Sequence, residues 1–130
     1  MSIAHTFFFQ FSQKSIPAWE PPTDVLDLGD AILVRLEISG IVPEDLSIEI
    51  YGQDLWIRGR RQEPEEKKFR VLQMEIYYGP FAKKIHLPCR IDIGRTEASL
   101  RQGFVEIFLP KVETSDFLSS PIFIVVRKES

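Results

Sequence analysis

The sequence predicts an all-β chain folded as an antiparallel β-sandwich. Three observations carry that expectation: apolar residues recur with a period of two, turn residues return every 8 to 12 residues or so, and no stretch holds a convincing amphipathic helical pattern. At 130 residues the chain is about one domain, long enough to bury a core without covalent staples.

From Ala31 to Ile38 the even positions are all apolar, while the odd ones turn polar at Arg35 and Glu37, so the segment predicts a strand with one buried face. Ser39 and Gly40 break it, and Pro43, Glu44 and Asp45 form a turn. Leu46 to Ile50 alternates again, and Gly52-Gln53-Asp54 leads into Leu55 to Arg60; two strands on a short glycine loop predict a hairpin. The run from Arg60 to Lys68 is too charged for any core and is expected to be an exposed loop. Phe69 to Tyr78 is expected as a strand, although Leu72 to Glu75 also tolerates a helix. Gly79-Pro80 starts Phe81 to Leu87, which Pro88 ends. Ile91 to Leu100 holds one or two short strands, and Gln102-Gly103 turns into Phe104 to Leu109, stopped by Pro110.

Composition excludes several function classes. Hydrophobic and charged fractions of 44% and 27% are those of a globular protein, which argues against wholesale disorder. One cysteine, Cys89, rules out an intrachain disulfide framework and suits a reducing compartment. A net charge of -3 gives no electrostatic case for nucleic acid, and Arg58, Arg60, Arg61, Lys67, Lys68 and Arg70 are interleaved with glutamates in a mixed-sign loop. No segment reaches the roughly 18 to 20 apolar residues of a membrane span. No Lys or Arg precedes the Phe run at the start, and no small-residue cleavage site follows it, so it does not read as a signal peptide. A cytoplasmic location without stable membrane insertion is expected.

Catalysis and cofactors are not expected. Of two histidines, His5 lies near the start and His86 stands in a strand, out of phase with Ile85 and Leu87, hence facing solvent. No second His or Cys stands at ligand spacing, so no metal site is expected. Neither phosphate-binding glycine motif occurs, no serine sits in a GxSxG setting, and the acidic pairs lie in turns.

Two apolar termini remain. Pro17, Pro21 and Pro22 set off an arm, residues 1–18, that carries Phe7, Phe8, Phe9 and Phe11. A polar linker leads to Ile122 to Val126, within a tail that takes in residues 113–130. Either could fold back as an extra strand on the domain. The linker, extended, also lets the tail reach about 25 Å to a neighbour, and a tethered strand suits insertion at an exposed edge of another subunit.

The motifs then become familiar. Pro22 to Asp27 with Leu33 to Ile41 resembles the opening of the α-crystallin domain of small heat-shock proteins. Asp54-Leu55-Trp56-Ile57-Arg58-Gly59-Arg60-Arg61 is similar to the family's L-x-I-x-G-x-R. Glu75 to Phe81 resembles E-r-x-y-G-x-F, and Ile85 to Pro88 f-x-L-P. Ala98 to Val105 with Leu109-Pro110-Lys111 is similar to A-x-x-x-n-G-V-L ending in l-P-K, and Ile122-Phe123-Ile124 stands where the family carries I-x-I. The resemblance covers residues 19–126, in family order. It departs at Phe104, Val105 and Ser39, and the arm is short.

The resemblance implies an immunoglobulin-like sandwich, the α-crystallin domain, over 19–112, acting as an ATP-independent holdase for unfolding client proteins in homo-oligomers built from strand-swapped dimers. In the bacterial and plant branch a strand on the long loop pairs with the partner's first strand; by position the exchange here involves Phe69, Val71, Leu72 and Met74 with Val25 and Leu26. The tail anchors Ile122 and Ile124 are expected in a neighbour's groove lined by Leu46, Ile48, Ile50, Val105, Ile107 and Leu109, while Ile124 to Val126 offers a second, I-x-V register. The arm phenylalanines are expected to contact clients. The rival reading is a co-chaperone or scaffold module with a CS-domain-like sandwich, bound to one folded partner and monomeric.

Overall fold

A computed structural model describes residues 19–65, 68–112 and 122–129. Among these residues nine strands follow in order: β1 (Thr23–Asp27), β2 (Ala31–Glu37), β3 (Leu46–Tyr51), β4 (Asp54–Arg61), β5 (Gly79–His86), β6 (Glu97–Arg101), β7 (Phe104–Pro110), β8 (Ile122–Phe123) and β9 (Val126–Lys128). They form two sheets, β1-β2-β7-β6-β9 and β5-β4-β3-β8. Every pairing between these strands is antiparallel except β6 with β9, which is parallel, as is the isolated bridge between Trp19 and Phe81. The sandwich is therefore the expected one. Its only helical turns among the described residues are two short 3-10 turns, at Pro43–Asp45 and Ile93–Arg95.

The period-two pattern of the sequence becomes the core. Ile32, Val34 and Leu36 of β2, Ile48 and Ile50 of β3, Leu55 and Ile57 of β4, and Val105, Ile107 and Leu109 of β7 all face inward and are buried. Among the described residues no polar or charged side chain is buried. Such a core requires no internal hydrogen-bond pairing to offset desolvation.

Two positions show why particular residues stand in the turns and strands. Between β6 and β7, Gln102 and Gly103 both adopt positive φ, 53° and 84°, the two-residue turn whose twist matches that of its strands. Gly59 in β4 lies where a Cβ would stand 2.5 Å from the Asp45 carbonyl and 2.6 Å from the Phe81 ring. Phe81 fills the space that the absent side chain leaves, which ties the glycine of the G-x-R motif to a core aromatic.

One expected strand is missing. Residues 69–78 form no ladder among the described residues, and β5 begins only at Gly79. A strand requires an edge to pair with, and among the described residues the loop pairs with neither outer strand, β1 or β5. Pro43 to Asp45, expected as a turn, winds into one 3-10 turn.

Candidate interaction site

Three apolar surfaces on the described part of the sandwich belong to segments the sequence marked out. The first is the loop after β4. Its side chains Phe69, Val71, Leu72, Met74, Ile76 and Tyr77 are all exposed, Leu72 at 84% and Ile76 at 63%. The loop curls around a hollow of about 550 Å³ lined by several of these groups and Tyr78. Leaving six large apolar side chains in water forgoes roughly 1.5 to 3 kcal/mol each.

The root of that loop is clamped. Arg61, the last residue of β4, donates from Nε and Nη2 to the Tyr77 carbonyl at 2.9 and 2.6 Å, and from Nη1 to the Ser39 carbonyl at 3.2 Å. Its guanidinium lies 4.5 Å from the Trp19 ring, and Trp19 stacks on Tyr77 at 5.8 Å and tilts against Phe81 at 5.4 Å. The planar fork of arginine allows stacking and bidentate donation together. Sequence reasoning placed Arg61 in the family motif and missed this clamp; Trp19, isolated among prolines, was its one visible signal.

The second surface is the outer edge of β1. Val25, Leu26 and Leu28 are exposed, and among the described residues β1 pairs with β2 on one side and with no strand on the other. At its end Asp27 accepts from Lys111 Nζ at 2.9 Å and from the Gly29 amide at 2.9 Å. The hydrogen bond from Lys111 holds the Asp27 carboxyl below its ordinary 3.8, and Lys111 is raised in return.

The third surface is the seat of the tail. β8 adds to β3, with Ile50 opposite Ile122 and Glu49 opposite Phe123, and the Ile124 amide donates to the Ile48 carbonyl at 2.9 Å. The chain then crosses to the other sheet, where β9 runs parallel to β6 with Ala98 opposite Val126. Arg127 pairs with Glu97 at 3.7 Å, and the Glu129 amide donates to the Leu100 carbonyl at 2.9 Å. Ile124 and Val126 pack against the core, whereas Phe123 and Val125 face solvent at 69% and 84% exposed. The tail thus lies on its own sandwich.

The second wall of this seat is β6, not the β7 residues expected from the sequence. Val105, Ile107 and Leu109 are fully buried, because β7 runs between β2 and β6 in mid-sheet and its inward face is covered. Open backbone belongs to edges; β6 supplies it, with Ala98 and Leu100 beneath. On the other wall Leu46 is half-buried, and Ile48 and Ile50 lie in the core below their own edge backbone. The arm residues Phe7, Phe8, Phe9 and Phe11, the linker 113–120 and the side chain of Ile122 lie outside the described residues.

His86 is exposed and bonds Asp54 through Nδ1 at 2.8 Å, which together with Lys84 holds the Asp54 carboxyl low. Trp56 on the same face lies under Arg58 and beside Lys84, with Arg58 paired to Glu49. Among the described residues no three His, Cys, Asp or Glu side chains cluster as metal ligands, and no helix is long and apolar enough to cross a membrane.

Comparison with known proteins agrees with this architecture. The Hsp20/alpha crystallin family profile matches residues 24–127, from β1 through the tail. The chain is 31% identical over 108 residues to small heat shock protein C2 of Rickettsia felis, which covers 82% of this chain and 70% of that protein. Heat shock protein 16.0 from Schizosaccharomyces pombe has a similar structure, with a TM-score of 0.68 at 30% identity, over 75% of this chain and 92% of that one. A small heat-shock protein from Xylella fastidiosa, described as having a distinct high order structure, gives a TM-score of 0.64 at 26% identity, over 75% and 91% of the two chains. With its sandwich, its loop and its tail all inside the matched span, the chain belongs to the Hsp20/alpha crystallin family of small heat-shock proteins.

Proposed function

We propose that this small heat-shock protein is an ATP-independent holdase, which occupies the exposed apolar segments of unfolding proteins and keeps them from aggregating. The observation that carries the reading is the loop at 68–78, with six large apolar side chains in solvent, on a chain whose β1 has no second strand partner among the described residues. Surfaces of this kind on one chain fit partners of their own chemistry. No nucleotide chemistry enters, since capture is an exchange of one apolar contact for another.

In this reading the protein is a homo-oligomer of strand-exchanged dimers working in the cytoplasm. Phe69, Val71, Leu72 and Met74 of one copy pair along Val25 and Leu26 of the other, which gives the loop the edge it lacks in a single chain. Tails seat in neighbouring copies on the same β3 and β6 edges that receive the tail within one chain, anchored by Ile122, Ile124 and Val126. The high order structure described for the Xylella fastidiosa relative supports assembly of this kind. Phe7, Phe8, Phe9 and Phe11 join the loop in holding clients.

The test is light scattering from a thermolabile client enzyme heated with this protein and without ATP. Suppressed scattering, with client and chaperone co-eluting on gel filtration, is the expected result. Unaltered aggregation in the presence of a molar excess of the chain would overturn the holdase reading and favour a co-chaperone module.

A further inference from the structure

The tail's pairing does not stop where its apolar motif ends. Ile122-Phe123-Ile124 completes the I-x-I pattern, yet β9 continues along the edge of β6, with Ala98 opposite Val126, Ser99 opposite Arg127 and Leu100 opposite Lys128. The Glu129 amide donates to the Leu100 carbonyl at 2.9 Å, the next bond of the same parallel ladder, which sets Glu129 beside Arg101. Side chains alternate along both strands. Val126, Ala98 and Leu100 turn to the core, whereas Glu97, Arg101, Arg127 and Glu129 are exposed on the opposite face.

We propose that Glu97 and Arg101 are the specificity-determining residues of the tail seat. They recognise the base-then-acid order of Arg127 and Glu129, so that the β6 edge selects this chain's own tail among apolar strands of similar shape. The first support is direction. β6 runs from acid to base, and the tail, parallel to it, runs from base to acid, so opposite signs meet at both ends. Arg127 Nη2 stands 3.7 Å from Glu97.

The second support is that nearby charges are already engaged. Glu106, across Ser99 on β7, pairs with Arg35 at 3.0 Å, and Arg95, just before β6, pairs with Asp92 at 2.8 Å. The third is the contrast with the other half of the seat. On β3 the tail sets uncharged Phe123 opposite Glu49, which is paired with Arg58. That half offers the tail only backbone and apolar contact, and an apolar pocket discriminates weakly between aliphatic residues of similar size. Exposed ion pairs add little to the hold. Selection depends on a difference, however, and a tail with its signs exchanged meets repulsion where this one meets attraction. Where tails are traded between copies, the same code admits a second copy of this chain ahead of a related chain that lacks it.

The seat is the same whichever copy fills it and no client takes part, so the test stands apart from the holdase and assembly readings. Hydrogen exchange of the full chain, resolved to single residues by mass spectrometry, follows the amide at position 129. Arg127→Glu with Glu129→Arg should quicken that exchange about fivefold, equivalent to ~1 kcal/mol, after correction for the intrinsic rate of the new side chains. Glu97→Arg with Arg101→Glu should do the same from the other side of the ladder. All four substitutions in one chain should restore the original rate. All four residues are exposed, so circular dichroism should be alike in every variant. An unmoved rate in either pair would show that the charges take no part in seating. A combined variant as fast as its parts would show that lost contacts, not matched signs, loosen the tail; either result overturns the proposal.

Discussion

Lys111 shows how one side chain closes the end of a sheet. It follows β7, and its amide donates to the Asp30 carbonyl at 2.9 Å while its ammonium reaches Asp27. The turn between β1 and β2 is thereby fastened to β7 from two directions. Because the carboxyl of Asp27 titrates below its ordinary 3.8, the clasp is fully present above that value and is lost as pH falls through the lowered one. In Lys111→Ala the Asp27 midpoint, followed by carboxyl NMR, should move back up toward 3.8, and amide exchange at Leu28 and Gly29 should quicken. Since the pair is open to solvent, the change belongs to the local turn, and the global unfolding midpoint should stay nearly where it is. A midpoint for Asp27 that ignores the loss of Lys111 would show that the Gly29 amide alone sets it.

At the scale of elements, the clamp at the root of the long loop separates a fixed neck from an apolar body. Arg61 joins the end of β4 to Tyr77 just before β5, and Trp19 covers the junction. Arg61→Ala removes three charge-assisted donations and a stacked cation, worth about 1 to 2 kcal/mol at so exposed a place. Tryptophan emission should shift red as Trp19 gains water, and amides of residues 75–78 should exchange faster, while the core strands keep their protection. Arg61→Lys should restore little, because an ammonium cannot donate in a plane and stack at once. Legibility in the sequence divides along the same line. β2, β3, β4 and β7 could be read from alternation alone, since each hides one face in the core and the burial is local information. Residues 69–78 also alternate enough to read as a strand, yet a ladder depends on an edge elsewhere, and no periodicity reports that. The same limit moved the tail's second wall to β6: Val105, Ile107 and Leu109 have the right chemistry, but which strand is the edge is a property of sheet order. The neck clamp was invisible for a related reason, as Trp19, Arg61 and Tyr77 meet only after β4 and β5 have paired.

For the whole molecule the decisive question is where the tail spends its time. Its anchoring side chains alternate with solvent-facing ones, Ile124 and Val126 inward against Phe123 and Val125 outward, and its backbone adds to an edge of each sheet. Nothing in that geometry depends on which copy supplies the strand, so a tail leaving its own groove opens one that a neighbour's tail fits equally. In the assembly we propose, exchange wins where the local concentration of neighbouring tails exceeds the effective concentration that the linker gives the chain's own. Deleting residues 121–130 should therefore reduce the mass measured by light scattering to that of a dimer held by the loop. Ile124→Ser with Val126→Ser should do nearly the same, each lost apolar contact costing roughly 1.5 to 3 kcal/mol. Phe123→Ser and Val125→Ser, at exposed positions of the same strand, should leave the mass unchanged, which separates seating from mere loss of apolar surface. If the tail-less chain kept its full assembly, the tail's place on β3 and β6 would be a closure of the single domain, and the larger particle would have to be held by the loop and the arm.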